Sequence, residues 1–147
     1  MPASDAATDR EPGWSDEAPS LTGLHVLVVE DDHDARELVG ELLQRCGAEV
    51  TLTASSAEGV AAFERHRPDV IVSDIEMPHE DGYSFIRRIR ARALGEGGAV
   101  PAAALTAYAS PSDRMKVLGA GFNIHIAKPV QPTELAVVVA SLAGRHT

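Results

Sequence analysis

Six polar residues directly follow short apolar runs, and their types suit one kind of chemistry. Glu30, Asp31 and Asp32 follow His25-Val-Leu-Val-Val29, and Asp74 follows Asp69-Val-Ile-Val-Ser73. Thr106 follows Pro101-Ala-Ala-Ala-Leu105, and Lys128 follows Asn123-Ile-His-Ile-Ala127. If these runs are neighbouring parallel strands, the carboxylates, a hydroxyl and an ammonium converge on one sheet edge. Carboxylates brought that close raise one another's pKa, and a divalent cation relieves the repulsion. Oxygen ligands without a His or Cys cluster point to Mg²⁺ rather than Zn²⁺. In such a site Asp74 can attack a phosphoryl group while Mg²⁺ and Lys128 neutralise its equatorial oxygens.

The intervening segments must position these groups, and they read as helices. Ala35, Leu38, Val39, Leu42, Leu43 and Cys46 recur on one helical face, stopped by Gly47. Val50-Thr-Leu52 is another strand. Ser55 and Glu58 have capping-box spacing before a helix carrying Ala57, Val60, Ala61 and Phe63. Residues 83–91 form the third helix, with Phe85, Ile86 and Ile89 apolar. Ser110-Pro-Ser-Asp113 opens the fourth. The fifth enters at Pro132, carries Leu135, Val138, Val139 and Leu142, and leaves at Gly144. Five strands alternating with five helices predict an α/β fold: a doubly wound, five-stranded parallel sheet of flavodoxin-like order 2-1-3-4-5. Functional sites in such sheets lie beyond the carboxyl ends of the strands, where the order reverses.

Composition narrows the function classes. The chain has 147 residues, 22 acids against 13 Lys and Arg, and a formal net charge of −9. That balance argues against nucleic-acid binding by phosphate neutralisation. The longest aliphatic run, Leu135 to Ala140, is six residues, too short to span a bilayer. No basic stretch precedes an apolar run at the N-terminus, and Cys46 is the single cysteine. The expectation is a reducing, cytoplasmic setting without membrane insertion. Residues 1–20 lack Leu, Ile and Val and hold five acids against Arg10, which predicts a disordered acidic tail before a domain at 21–147.

Val26-Leu-Val-Val-Glu-Asp-Asp32, Asp74-Ile-Glu-Met-Pro78 with Asp81-Gly82, Leu105-Thr106-Ala107 and Lys128-Pro129 together resemble the receiver domains of two-component response regulators. The resemblance covers roughly residues 24–144. It implies that Asp74 is the phosphoacceptor, that Asp31 ligates Mg²⁺ directly, and that Glu30 reaches it through water. The Glu76 backbone carbonyl matches a third protein ligand. Thr106 matches the hydroxyl that turns toward the phosphoryl group, Ala107 the small residue leaving room for it, and Lys128 the ammonium pairing with it. Asp32 is left as an N-cap or a solvated charge. The resemblance also implies a cis Lys128–Pro129 bond. Its implied partners are a histidine kinase or histidine phosphotransfer protein, and a downstream protein on the face of the fourth helix, fifth strand and fifth helix.

Two positions set this chain apart. Receivers usually carry Tyr or Phe where His125 stands, three residues before the Lys, so His125 is a candidate switch residue. Glu76 and Tyr108 occupy positions that in the family tune loss of the phosphoryl group. Plainer roles fall to the rest. Cys46 reads as a small core hydrophobe. Arg87, Arg88, Arg90 and Arg92 read as a solvated helix face. His33, His66, His79 and His146 show no ligand spacing. A Mg²⁺-dependent phosphohydrolase is disfavoured because its nucleophile would lie on the first strand, and an FMN carrier because Glu30-Asp-Asp32 would repel the phosphate. Only three residues follow Gly144. The expectation is therefore no output domain: either a single-domain receiver or the receiver of a hybrid histidine kinase, which the stretch Ala120 to Pro129 resembles.

Overall fold

The computed structural model describes residues 18–78 and 80–145. The strands are β1 (His25–Val29), β2 (Glu49–Thr53), β3 (Val70–Asp74), β4 (Ala102–Thr106) and β5 (Ile124–Ala127). They form one sheet in the order β2-β1-β3-β4-β5, with every neighbouring pair parallel. The helices are α1 (His33–Arg45), α2 (Ser56–Arg65), α3 (Gly82–Arg90), α4 (Pro111–Ala120) and α5 (Pro132–Leu142). The predicted doubly wound topology is therefore the observed one.

β1, β3 and β4 are buried along their whole length, as strands covered on both faces must be. Val26, Val28, Val70 and Val72 face a core shared with Val39 and Leu43 of α1 and Leu135 and Val139 of α5. Leu27, Val29 and Ile71 face a second core with Phe63 of α2, Phe85 and Ile89 of α3 and Val117 of α4. Helix entry is set by side-chain caps. Asp32 accepts from Ala35 N at 2.8 Å, Ser55 from Glu58 N at 3.1 Å and Asp81 from Ser84 N at 3.0 Å. Ser110 and Asp113 close a full capping box. Glu58 instead reaches the Ala54 N–H, at 3.1 Å.

Several expectations are corrected. Asp74 and Thr106 are the last residues of their strands rather than the first beyond them. On α2 the buried residues are Ser56, Gly59, Ala62 and Phe63, while Ala57 and Ala61 are exposed. The cause is close approach: a Cβ on Gly59 would lie 2.9 Å from both Phe85 and Val29. Ser56 and Gly59 therefore turn inward there beside Ala62 and Phe63. Leu38, expected in the core, is 50% exposed. Packing also starts before Leu21, because Ala18 lies against the first core and Pro19 is buried. Residues 1–17 of the predicted tail, His79 and His146 lie outside the described residues.

The arginine cluster is not simply a solvated face. Arg90 donates to Gly121 O at 2.8 Å, Gly98 O at 3.0 Å and Asn123 Oδ1 at 3.2 Å. Its burial lowers the guanidinium pKa. Arg92 pairs with Glu64 at 2.6 Å and lies over the Phe63 ring. Arg90 thus ties the end of α3 to the chain entering β4 and β5. Arg90→Ala leaves two backbone carbonyls without their donor and should cost about 2–3 kcal/mol in urea unfolding. Arg87→Ala, on the exposed side of α3, should stay within about 0.5 kcal/mol.

Candidate functional site

The reversal of strand order between β1 and β3 opens a cleft of about 480 Å³ at the carboxyl edge of the sheet. Glu30, Asp31, Asp74, Glu76 and Lys128 line it. Backbone bonds extend the ladder into the loops there. Glu30 N donates to Thr53 O at 3.0 Å, Ile75 N to Leu105 O at 3.0 Å and Lys128 N to Thr106 O at 2.9 Å. The loop ends are thereby held in strand register. Gly82 packs against the end of β3, where a Cβ would collide with the Asp74 carbonyl oxygen. The Lys128–Pro129 peptide bond is cis, as the resemblance implies.

Lys128 Nζ lies 2.6 Å from Asp74 Oδ1, 3.8 Å from Glu76 Oε1 and 4.0 Å from Glu30 Oε1. Burial alone would lower the ammonium's pKa; the bond to Asp74 and the three carboxylate charges outweigh it and hold it above the usual value. Glu30 and Asp74 are each 1% exposed. Burial first, then the hydrogen bond and charge shared with Asp74, push Glu30 up to about 8. The Asp32 N–H, 3.1 Å from Glu30 Oε2, pulls the other way. Crowding of carboxylates does raise the pKa as expected, but desolvation is the larger cause.

Glu30, Asp31 and Asp74 each offer an oxygen, and these oxygens lie within 4.8 Å of one another. Mg²⁺ binds oxygen at about 2.0–2.1 Å, so its ligands stand about 3–4 Å apart. A small contraction would seat the ion, and its charge would offset that of the buried acid. Asp32 stays out of this group and caps α1.

The Glu76 side chain was not foreseen in its observed role. Thr106 Oγ1 donates to Glu76 Oε2 at 2.7 Å, and Ala107 N donates to Glu76 Oε1 at 3.0 Å. Thr106 Oγ1 also accepts from Tyr108 N at 3.0 Å. The Glu76 carboxylate therefore occupies two donors at the carboxyl end of β4. Its spacing from Asp74 was the available signal, but nothing in spacing reveals where a flexible carboxylate turns. His125 is half-buried and pairs in register with Ala104. The hydroxyl of Thr106 is engaged by Glu76 and Tyr108, not by His125. Tyr108 is exposed.

Comparison with known proteins agrees with this geometry. The family model for the response regulator receiver domain matches residues 26–140. An uncharacterized 14.6 kDa protein of Leptolyngbya boryana is 42% identical over 120 residues, covering 82% of this chain and 90% of that protein. Hybrid signal transduction histidine kinase D of Dictyostelium discoideum is 34% identical over 143 residues, covering 93% of this chain but only 9% of the kinase. Among solved structures, the receiver domain of a sensor histidine kinase from Pseudomonas aeruginosa superposes with a TM-score of 0.76 at 38% identity, covering 84% of this chain and 99% of that one. That structure holds a magnesium ion coordinated in its active-site cleft. A putative response regulator from Chloroflexus aurantiacus gives 0.77 at 31% identity, with 83% and 98% covered. The chain belongs to the response regulator receiver domain family of two-component signal transduction.

The raised pKa of Glu30 makes a pH prediction. Between about 4.5 and about 8 the folded protein keeps a proton that the unfolded chain has released. In EDTA, stability should fall as pH rises through that window. Glu30→Gln should flatten the fall and raise the melting temperature at pH 8 by several degrees, read by circular dichroism.

Proposed function

We propose that this chain is a phosphorelay receiver. It takes a phosphoryl group from the phosphohistidine of a histidine kinase or phosphotransfer protein onto Asp74. An Asp74 carboxylate oxygen forms the new O–P bond, the P–N bond breaks, and the departing imidazole takes up a proton. Glu30, Asp31, Asp74 and the Glu76 backbone carbonyl would hold Mg²⁺, which supplies charge neutralisation for the transferring group. Lys128 pairs with the phosphoryl oxygens and Thr106 donates to them. The observation that carries this reading is a buried Asp74 with two acids on one side and an ammonium 2.6 Å away on the other.

Exposed apolar residues support protein partners. Leu38 stands half-exposed beside the cleft, with Ala35, Pro129 and Val130 on its rim, and suits a donor protein's helix. Met115 of α4, Ile124 of β5 and Val137 of α5 are exposed on the face proposed for a downstream partner. In this reading the domain acts in the cytoplasm through protein contacts rather than through nucleic acid. Phosphorylation shifts that face through Thr106, with Tyr108 and His125 as the adjustable side chains. No helix among the described residues is long and apolar enough to cross a membrane.

Acetyl phosphate with Mg²⁺ tests the assignment. The wild type should gain one adduct of about 80 Da, a single phosphoryl group, whereas Asp74→Asn, or the wild type in EDTA, should gain none. Labelling of Asp74→Asn, or phosphate release over many turnovers, would sink it.

Glu76 makes a second prediction. Phosphoryl oxygens on Asp74 must compete with its carboxylate for Thr106, Ala107 and Lys128. Glu76→Gln removes a charge and weakens that competition. The phosphorylated fraction at limiting acetyl phosphate should rise by roughly tenfold in ratio, equivalent to one charge-assisted hydrogen bond of about 1.5 kcal/mol. Phos-tag electrophoresis would read it.

A further inference from the structure

The opposite edge of the sheet carries a second cluster. His25 opens β1, Glu49 opens β2 and His66 follows the last residue of α2. Read singly in the sequence, His66 has no partner at ligand spacing. The fold changes that, because His25 and Glu49 are register partners and the His66 ring stacks on that of His25. The three side chains each offer a ligand atom, and these atoms lie within 4.8 Å of one another.

His25 supplies an independent observation. It is only 6% exposed, and its Nδ1 is shielded from solvent without any hydrogen-bond partner. A buried polar nitrogen left unpaired is uncommon and costs free energy. The other ring nitrogen, Nε2, lies 2.7 Å from Thr51 Oγ1. With the Nε2 proton donated to Thr51, the Nδ1 lone pair is left for a ligand. A hydrogen bond on the far nitrogen is the usual way a ligating imidazole is oriented. The residue is further fixed by its backbone N–H, which donates to Asp69 Oδ2 at 2.8 Å.

We propose that His25, Glu49 and His66 form a binding site for a borderline dication of the Zn²⁺ class, separate from the phosphoacceptor site. Two imidazoles and one carboxylate are a donor set that Zn²⁺ accepts, with water completing the tetrahedron. Mg²⁺ prefers oxygen ligands and competes poorly there. The His25 and His66 rings are stacked, with centroids 4.2 Å apart and 15° between planes. A metal lies in the plane of the ring that ligates it, so two stacked rings cannot share one ion as they stand. His66 is exposed and can turn about its side-chain torsions, whereas His25 is held. Metal binding therefore unstacks His66. The Arg67 guanidinium, which lines the same cleft, is engaged by Gly95 O at 2.8 Å. A surface cleft of about 430 Å³ leaves room for the ion's waters. The ion would staple β1, β2 and the end of α2 together. Five steps along the strand separate His25 from Glu30, about 17 Å at about 3.3 Å per residue. The two sites can therefore be titrated separately.

The test is Zn²⁺ titration of the full ¹⁵N-labelled chain in millimolar Mg²⁺, which saturates the acidic cleft, followed by calorimetry and imidazole NMR. One equivalent of Zn²⁺ should shift the His25 and His66 ring signals, with His25 ligated through Nδ1. His66→Ala and Glu49→Gln, both at exposed positions, should each weaken binding at least tenfold. His33→Ala should bind as the wild type does. The proposal is overturned if Zn²⁺ leaves the His25 and His66 rings unmoved, if both cluster variants bind like the wild type, or if binding depends on His33.

Discussion

The site is governed by the problem of placing acids where water does not reach. Glu30 and Asp74 end up almost fully buried at the carboxyl edge of a sheet that is otherwise apolar on both faces. A buried carboxylate without a partner costs several kcal/mol. Among the described residues lining the cleft, the cation is the Lys128 ammonium, 2.6 Å from Asp74. It is delivered from β5, two strands away from β3, and this is possible only because β3, β4 and β5 lie side by side in parallel register. One lysine does not neutralise the acids around it, and burial, together with the neighbouring Asp74, pushes Glu30 up to about 8. That excess of negative charge is what a bound dication would offset.

Most of the fold was legible because buried parallel strands are near-continuous apolar runs and their ends are abrupt. Val26 to Val29 followed by three acids marks both a strand and its functional end. The turn chemistry at Ser55, Asp81 and Ser110 was equally direct, since a capping side chain acts on backbone three residues away. Close packing was not legible. Gly59 and Ser56 turn inward on α2 because Phe85 and Val29 come within reach of the glycine, and that contact joins residues distant in sequence. Leu38 fits the helical period yet faces the cleft. Arg90 looks like its neighbours on α3, but its partners, Gly98, Gly121 and Asn123, belong to the loops entering β4 and β5.

The same distinction holds within the site. Asp74, Lys128 and Glu30 could be named because strand ends fix their backbones and few rotamers keep them out of the cleft. Glu76 sits on a turn, where Met77 N donates to Ile75 O at 3.1 Å, and its longer side chain has a choice of partners. It takes Thr106 and Ala107, the donors nearest a carboxylate that cannot share Lys128 equally with Asp74. The resting cleft is thus partly filled by one of its own anions. Any phosphoryl group bound at Asp74 must displace that carboxylate or accommodate its charge.

β1 carries a buried polar residue at each end, and the two are balanced differently. Glu30 has the Asp32 N–H, a proton shared with Asp74 and an ammonium at 4.0 Å. His25 has Thr51 on one nitrogen and nothing on the other. An apolar residue at position 25 would fill the same space beside His66 without leaving a nitrogen unpaired. Packing alone therefore gives no reason for imidazole at the start of the strand, whereas a ligand shared with Glu49 and His66 does. Between them β1 is apolar, and Val26 to Val29 leave no polar side chain to relay one end of the strand to the other.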